Sequence, residues 1–170
     1  FLATSIPSLD PITARAIAQD IKERLVHSSN NTPAAFGSTY ELPDGRVIDC
    51  SAEVLACANA FFDPSLLNKD DDRIPRSTDS TNVADIITTA CERFCFGEID
   101  HVAPKDFSSN LVLAGGSSLF NGFDETLKAT LKSSKKYAIC DTTKLWPGGE
   151  WRVVAPPERK YSCWIGGSIL

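Results

Sequence analysis

Between Pro11 and Leu25 the apolar side chains return at Ala14, Ile17, Ala18, Ile21 and Leu25. That three-and-four spacing puts them on one face of a helix. Asp10 can cap it, Pro11 suits its first position, and Asp20 and Arg24 can pair one turn apart on the outer face. The mostly polar stretch from Ser28 to Gly37 follows as a loop. Two short strand-like runs then flank Pro43-Asp44-Gly45, a turn sequence that predicts a hairpin over Tyr40 to Asp49. AEVLACANAFF reads as a short helix stopped by Asp63-Pro64.

A second apolar stripe, Val83, Ile86, Ile87, Ala90, Cys91 and Phe94, predicts a helix over 82–96, with Asp79, Ser80 or Thr81 as its cap. Leu111 to Leu113 reads as a strand broken by Gly115-Gly116. A helix then begins near Asp124 and Glu125 and ends near Lys132, Lys135 and Lys136. That polarity complements the helix dipole and accounts for the basic cluster without a partner. Trp151 to Val154 is a strand, stopped by Pro156-Pro157. The expected order is α, ββ, α, α, β, α, β, α, an α/β chain.

Composition narrows the picture. With 42% hydrophobic and 23% charged residues, a folded core is the expectation over disorder. The net charge of -5 gives no electrostatic footprint for nucleic acid. No apolar run approaches the roughly 20 residues of a membrane span, and no basic-then-apolar leader opens the chain. The cysteines at 50, 57, 91, 95, 140 and 163 form no C-x-x-C and have no histidine at ligand spacing. This favours reduced, packed thiols over a zinc site or a disulfide framework, with Cys91 and Cys95 one turn apart on a buried helix face. Methionine is absent, and the chain opens on Phe1-Leu2 and closes on GGSIL. Both features predict a piece of something longer.

Candidate chemistry is sparse. In LVLAGGSSLF a strand runs into Gly-Gly and then hydroxyl residues, so a ligand could approach the backbone and meet N–H donors at the next helical turn. A tight strand-to-helix turn with no ligand explains it as well, because neither nucleotide-binding glycine fingerprint is met. Glu158-Arg159-Lys160 follows two prolines that stiffen its approach, and is otherwise a solvated corner. Lys22-Glu23 are ordinary helix-surface charges. His27 and His101 have no visible nucleophile beside them, and no catalytic constellation is present.

YELPDGRVI, LVLAGGSSLFNGF and APPERKYSCWIGGSIL, in that order and at similar separations, resemble the C-terminal part of actin and the closest actin-related proteins. QDIKERL and FFDPSLL add weaker matches, so the resemblance runs from about Thr13 to Leu170. It implies a partial actin-like ATPase fold. Residues 1–69 would be most of the small subdomain of the second lobe, and residues 70–170 part of its large subdomain.

Carried over residue by residue, the resemblance implies ATP or ADP as the ligand, with Mg2+ held outside this stretch. Lys22 and Glu23 would reach adenosine, Gly115, Gly116, Ser117, Leu119 and Phe120 would line the adenine and ribose side, and Lys160 would close over the base. Phe120 replaces a common tyrosine, keeping the stacking face and losing the hydroxyl, and Gln19 replaces a common arginine. Where actin has a mostly apolar plug this chain reads NKDDDR, and the stretch from Ser133 to Glu150 is longer than the family norm.

The implied role is an ATP/ADP-binding cytoskeletal subunit, filament-forming or filament-capping, in the cytoplasm or nucleus. Its partners would be other actin-like subunits and actin-binding or scaffold proteins, with neither nucleic acid nor membrane bound directly. The alternative is a non-enzymatic actin-related module of a motor-adaptor, ciliary or chromatin-remodelling assembly. The resemblance implies that the groups for ATP hydrolysis lie mostly in the half of the fold that precedes these residues, so ATPase activity is expected only with that half and not of this stretch alone.

Overall fold

The computed structural model describes residues 10–28, 39–66, 81–96, 110–133 and 151–170, in two compact units. The first comprises residues 10–28, 39–66 and 120–122; the second comprises 81–96, 110–119, 123–133 and 151–170. The predicted loop to Gly37, the charged run Asn68–Arg73, Asp79, Ser80, His101, Lys135, Lys136, Cys140 and the long stretch to Glu150 lie outside the described residues. So do the side chains of Phe94 and Cys95.

In the first unit, helix α1 spans Pro11–Leu25. Asp10 caps it as expected, its carboxylate accepting the Thr13 N–H at 3.2 Å, and Pro11 wastes no hydrogen bond at the first position. Ala14, Ile17 and Ile21 are its buried face. They pack toward α2 (Ser51–Asn59), which contributes Val54 and Ala58. Burying a side chain the size of Ile21 or Val54 stabilises by about 1.5–3 kcal/mol. Strands β1 (Thr39–Glu41) and β2 (Val47–Asp49) pair antiparallel, with Tyr40 opposite Ile48. The hairpin turn is closed by hydrogen bonds from the Gly45 N–H to the Leu42 carbonyl at 2.9 Å and from the Leu42 N–H to the Arg46 carbonyl at 2.7 Å.

Asp20 ties the hairpin to α1. It accepts the Tyr40 hydroxyl at 2.7 Å and pairs with Arg24 at 2.9 Å, the expected one-turn pair with an added partner. Cys50 is buried at the start of α2, and that burial raises its thiol pKa.

In the second unit, α3 (Val83–Phe96) packs against α4 (Phe123–Ser133). Leu127 and Leu131 are fully buried on α4. Asp124 and Glu125 fall in its first turn and Lys132 in its last, the predicted polarity. The inward face of α3 differs from the predicted stripe. Ala84 and Thr88 are buried, whereas Ile86 is 56% exposed and Ala90 is also exposed. Small side chains at 84 and 88 allow a close approach, and the Thr88 hydroxyl is satisfied by the Asp85 carbonyl at 3.0 Å. Asn82, which the sequence reading did not single out, accepts the Asp85 N–H at 2.8 Å as a cap does.

Strand β3 (Leu111–Val112) pairs parallel with β4 (Val153–Val154), and α4 lies between them in the chain. A parallel pair needs such a crossover. Helix α5 (Ser162–Ile169) follows. The element order matches the sequence reading throughout the described residues, and no helix among them is long and apolar enough to cross a membrane.

Candidate functional site

The chain leaves β3 at Leu113, whose N–H donates to the Val154 carbonyl at 2.9 Å. It then turns through Gly115 with φ +93°, a left-handed conformation that a side chain at this position would strain. Gly116–Leu119 forms one 3-10 turn. Gly115 donates its N–H to the Arg159 carbonyl at 2.8 Å. Its own carbonyl accepts the Ser118 N–H at 3.2 Å and the Ser118 hydroxyl at 2.7 Å. Ser118 is therefore buried and satisfied inside the turn.

The second loop is equally closed. After β4, Pro156 begins a turn in which its carbonyl accepts the Arg159 N–H at 3.2 Å. The Arg159 guanidinium spans both loops. Nε and Nη2 donate to the Ser118 carbonyl at 3.1 and 3.0 Å. Nη1 donates to the Pro156 carbonyl at 3.0 Å and the Ala155 carbonyl at 3.3 Å. A planar fork of five N–H donors makes this possible where an ammonium would not.

Lys160 is thereby set beside the turn. A methyl group on Gly116 would sit 4.0 Å from the Lys160 Cγ, and the Lys160 ammonium lies 5.7 Å from the centre of the Tyr161 ring. Gly116, Ser117, Leu119 and Lys160 are exposed. The N–H groups of Gly116 and Ser117, which open the 3-10 turn, have no acceptor among the described residues. Two of the three weak sequence signals are thus brought together: Gly115, Gly116, Ser117 and Leu119 on one loop and Lys160 on the other. The expected array of N–H donors is smaller than the sequence implied, because Gly115 and Ser118 spend theirs inside the structure.

The remaining residues belong to the first unit. Lys22 is half-buried on α1. Its cation bears on the Cys57 thiol, whose pKa burial raises and Lys22 partly lowers. Glu23 accepts a hydrogen bond from the Gln19 amide at 3.2 Å, so the departure at position 19 still provides a donor to this carboxylate. Phe120 is 8% exposed, with its ring tilted 57° against Phe61 at 6.3 Å between centroids. The next residue, Asn121, pairs with His27 in a parallel bridge and accepts the N–H of buried Ser28 at 2.9 Å.

Arg159 is the residue that sequence reasoning passed over. Its only signal was its place beside Lys160 in a charged loop, and its acceptors lie as far as 41 residues away. Among the described residues, no group of histidine, cysteine, aspartate or glutamate side chains is arranged to hold a metal ion.

The family model described as Actin matches residues 3–170. Curated relatives include Actin-like protein 7B of Macaca fascicularis and Actin-like protein 7B of Homo sapiens. Each is 33% identical over 138 residues, covering 81% of this chain and 28% of the relative. The chain thus spans little more than a quarter of the length of these proteins.

Proposed function

The chain belongs to the actin family, and from that premise we propose that it is part of an ATP- or ADP-binding cytoskeletal subunit, filament-forming or filament-capping. The observation that carries this reading is the union of the Gly115–Leu119 turn with the loop bearing Lys160. It sets an exposed glycine backbone, the Ser117 hydroxyl and a long cationic side chain side by side. Those are groups that can border a sugar and a planar base: a backbone unobstructed by Cβ, polar hydrogen-bonding atoms, and a lysine stem able to lie over an aromatic face while its charge reaches water.

In this proposal Gly115, Gly116, Ser117, Leu119 and Lys160 hold the adenosine side. Lys22, Glu23 and Phe120, in the other unit, are proposed as additional contacts to be tested separately. Phe120 is itself buried against Phe61 within the first unit. The nucleotide would supply phosphoanhydride chemistry, with its magnesium and phosphate contacts made by residues outside this chain. The cytoplasm, or else the nucleus, is the proposed compartment, and actin-like subunits and scaffold proteins are the proposed partners.

The test is titration of the protein, expressed from its own gene, with a fluorescent ATP analogue and magnesium. Saturable binding, weakened about tenfold by Lys160→Ala, is the expected result; that factor corresponds to about 1.4 kcal/mol. An unmodified protein that binds no analogue overturns the nucleotide reading. The second reading, a non-enzymatic scaffold module, would then stand on the charged run Asn68–Arg73 that replaces the mostly apolar plug of actin. Charges there are costly to bury between subunits unless paired.

A further inference from the structure

We infer that Arg159 is a positioning residue that makes the Gly115–Leu119 turn and the Ala155–Lys160 loop a single rigid element, so that Lys160 is set in place before any ligand arrives. The inference deepens the nucleotide reading and rests on it for the ligand alone; the coupling of the two loops is a property of the chain itself.

Three observations support it. The guanidinium makes four hydrogen bonds to three backbone carbonyls, one on the first loop and two on the second. The same residue's own carbonyl accepts the Gly115 N–H at 2.8 Å, so side chain and main chain of one residue bind the turn at both its ends. The Arg159 carbonyl also accepts the Ser162 hydroxyl at 3.1 Å, which extends the element into the start of α5. No carboxylate partner is needed: among the described residues, the charge is met by carbonyl dipoles alone. Charge-assisted bonds of this kind are stronger than neutral ones, and the planar fork loses little freedom in making several at once. Lys160 is the adjacent residue, and its stem lies along Gly116. Loosening Arg159 must release both.

Two measurements test this. The first is amide hydrogen exchange in the full chain, comparing the unmodified protein with Arg159→Gln at a temperature where both are folded by circular dichroism. Faster exchange is expected in residues 115–119 and 155–161 together, with α1 unchanged. Faster exchange in one loop alone, or in neither, overturns the coupling. Should Arg159→Gln fail to fold, Arg159→Lys keeps the charge and loses the fork, and the same two segments are read.

The second is a double-mutant cycle on binding of the fluorescent ATP analogue. Arg159→Gln should weaken binding about tenfold alone and less than about threefold when Lys160 is already alanine, because it acts through Lys160. Additive losses of roughly a hundredfold in the double variant would reduce Arg159 to general stability and overturn the inference. If the unmodified protein binds no analogue, the nucleotide reading fails, while the exchange result still decides whether the two loops are coupled.

Discussion

Among the described residues, the glycine turns at Gly45 and Gly115 are alike in backbone and differ in support. Gly45 and Gly115 have φ of +82° and +93°, and a Cβ on either would meet nothing within 4 Å. The Gly45 turn is completed by its immediate neighbours. Leu42 and Arg46 bond across it, and Asp44 accepts both the Arg46 N–H at 3.0 Å and its Nε at 2.7 Å. The Gly115 turn is completed from 41 residues away by Arg159. A turn that closes on itself needs no other part of the chain and links only its own two strands. A turn closed by a distant residue joins two loops, and so can compose a site from them.

Removing each turn's arginine gives the largest contrast. Arg159→Gln leaves three carbonyls short of a strong donor and should destabilise the second unit by about 2 kcal/mol. Arg46→Gln, on an exposed hairpin, should leave the melting temperature almost unchanged. Thermal unfolding followed by circular dichroism reads both, and equal shifts would erase the distinction.

Next come the glycines themselves. Both positions should lose about 1–2 kcal/mol on substitution by alanine, since a left-handed φ strains any side chain. Only Gly115→Ala should also accelerate amide exchange at 155–161. A change there in Gly45→Ala would show that the turns are not independent.

Tyr40→Phe removes the hydroxyl bond to Asp20 that steadies the hairpin against α1. The expected cost is about 0.5–1.5 kcal/mol in denaturant unfolding. The Tyr40 pKa is raised above 10.0, chiefly because its hydroxyl donates to Asp20. Its contribution is therefore complete below the ordinary phenol range and lost as pH rises through the elevated value. Tyr40→Phe should flatten the alkaline end of the stability profile.

The smallest expected effect is at acid pH. Asp44, held by Arg46, and Asp49, bonded by the Ser51 hydroxyl and N–H, both have carboxyl pKa values lowered below 3.8. Their contribution is present above the ordinary carboxylate value and disappears as pH falls through the lowered ones. Asp44→Asn should weaken the acid dependence slightly, read as the midpoint of hairpin chemical-shift changes below about pH 4.

The same contrast explains what could be read from the chain alone. Asp10-Pro11, Asp20 with Arg24, and Pro43-Asp44-Gly45 were legible because cause and effect lie within a few residues. Asp124, Glu125 and Lys132 were legible for the same reason. The inward face of α3 was not. Apolar spacing put Ile86 inside, whereas the small residues Ala84 and Thr88 are the buried ones. The cap at Asn82 was missed because several neighbouring polar residues can serve and only the helix start decides. In the candidate site, Gly115, Gly116 and Lys160 stood out locally. Arg159 did not, because its importance lies in carbonyls on another loop, and a carbonyl has no sequence signature.

The contact between Ser28 and Asn121 has a consequence for the order of events during synthesis. Asn121 supplies the acceptor for a buried N–H at the end of α1, and its neighbour Phe120 fills the core beside Phe61. A nascent chain that has emerged only to Leu66 has the described helices and strands of the first unit but neither of these residues. At roughly 5–20 residues per second, several seconds of translation separate that point from the arrival of Asn121. Through that interval the contacts that Phe120 and Asn121 make with the first unit cannot form, so the first unit is complete only when residues 120–122 have been made.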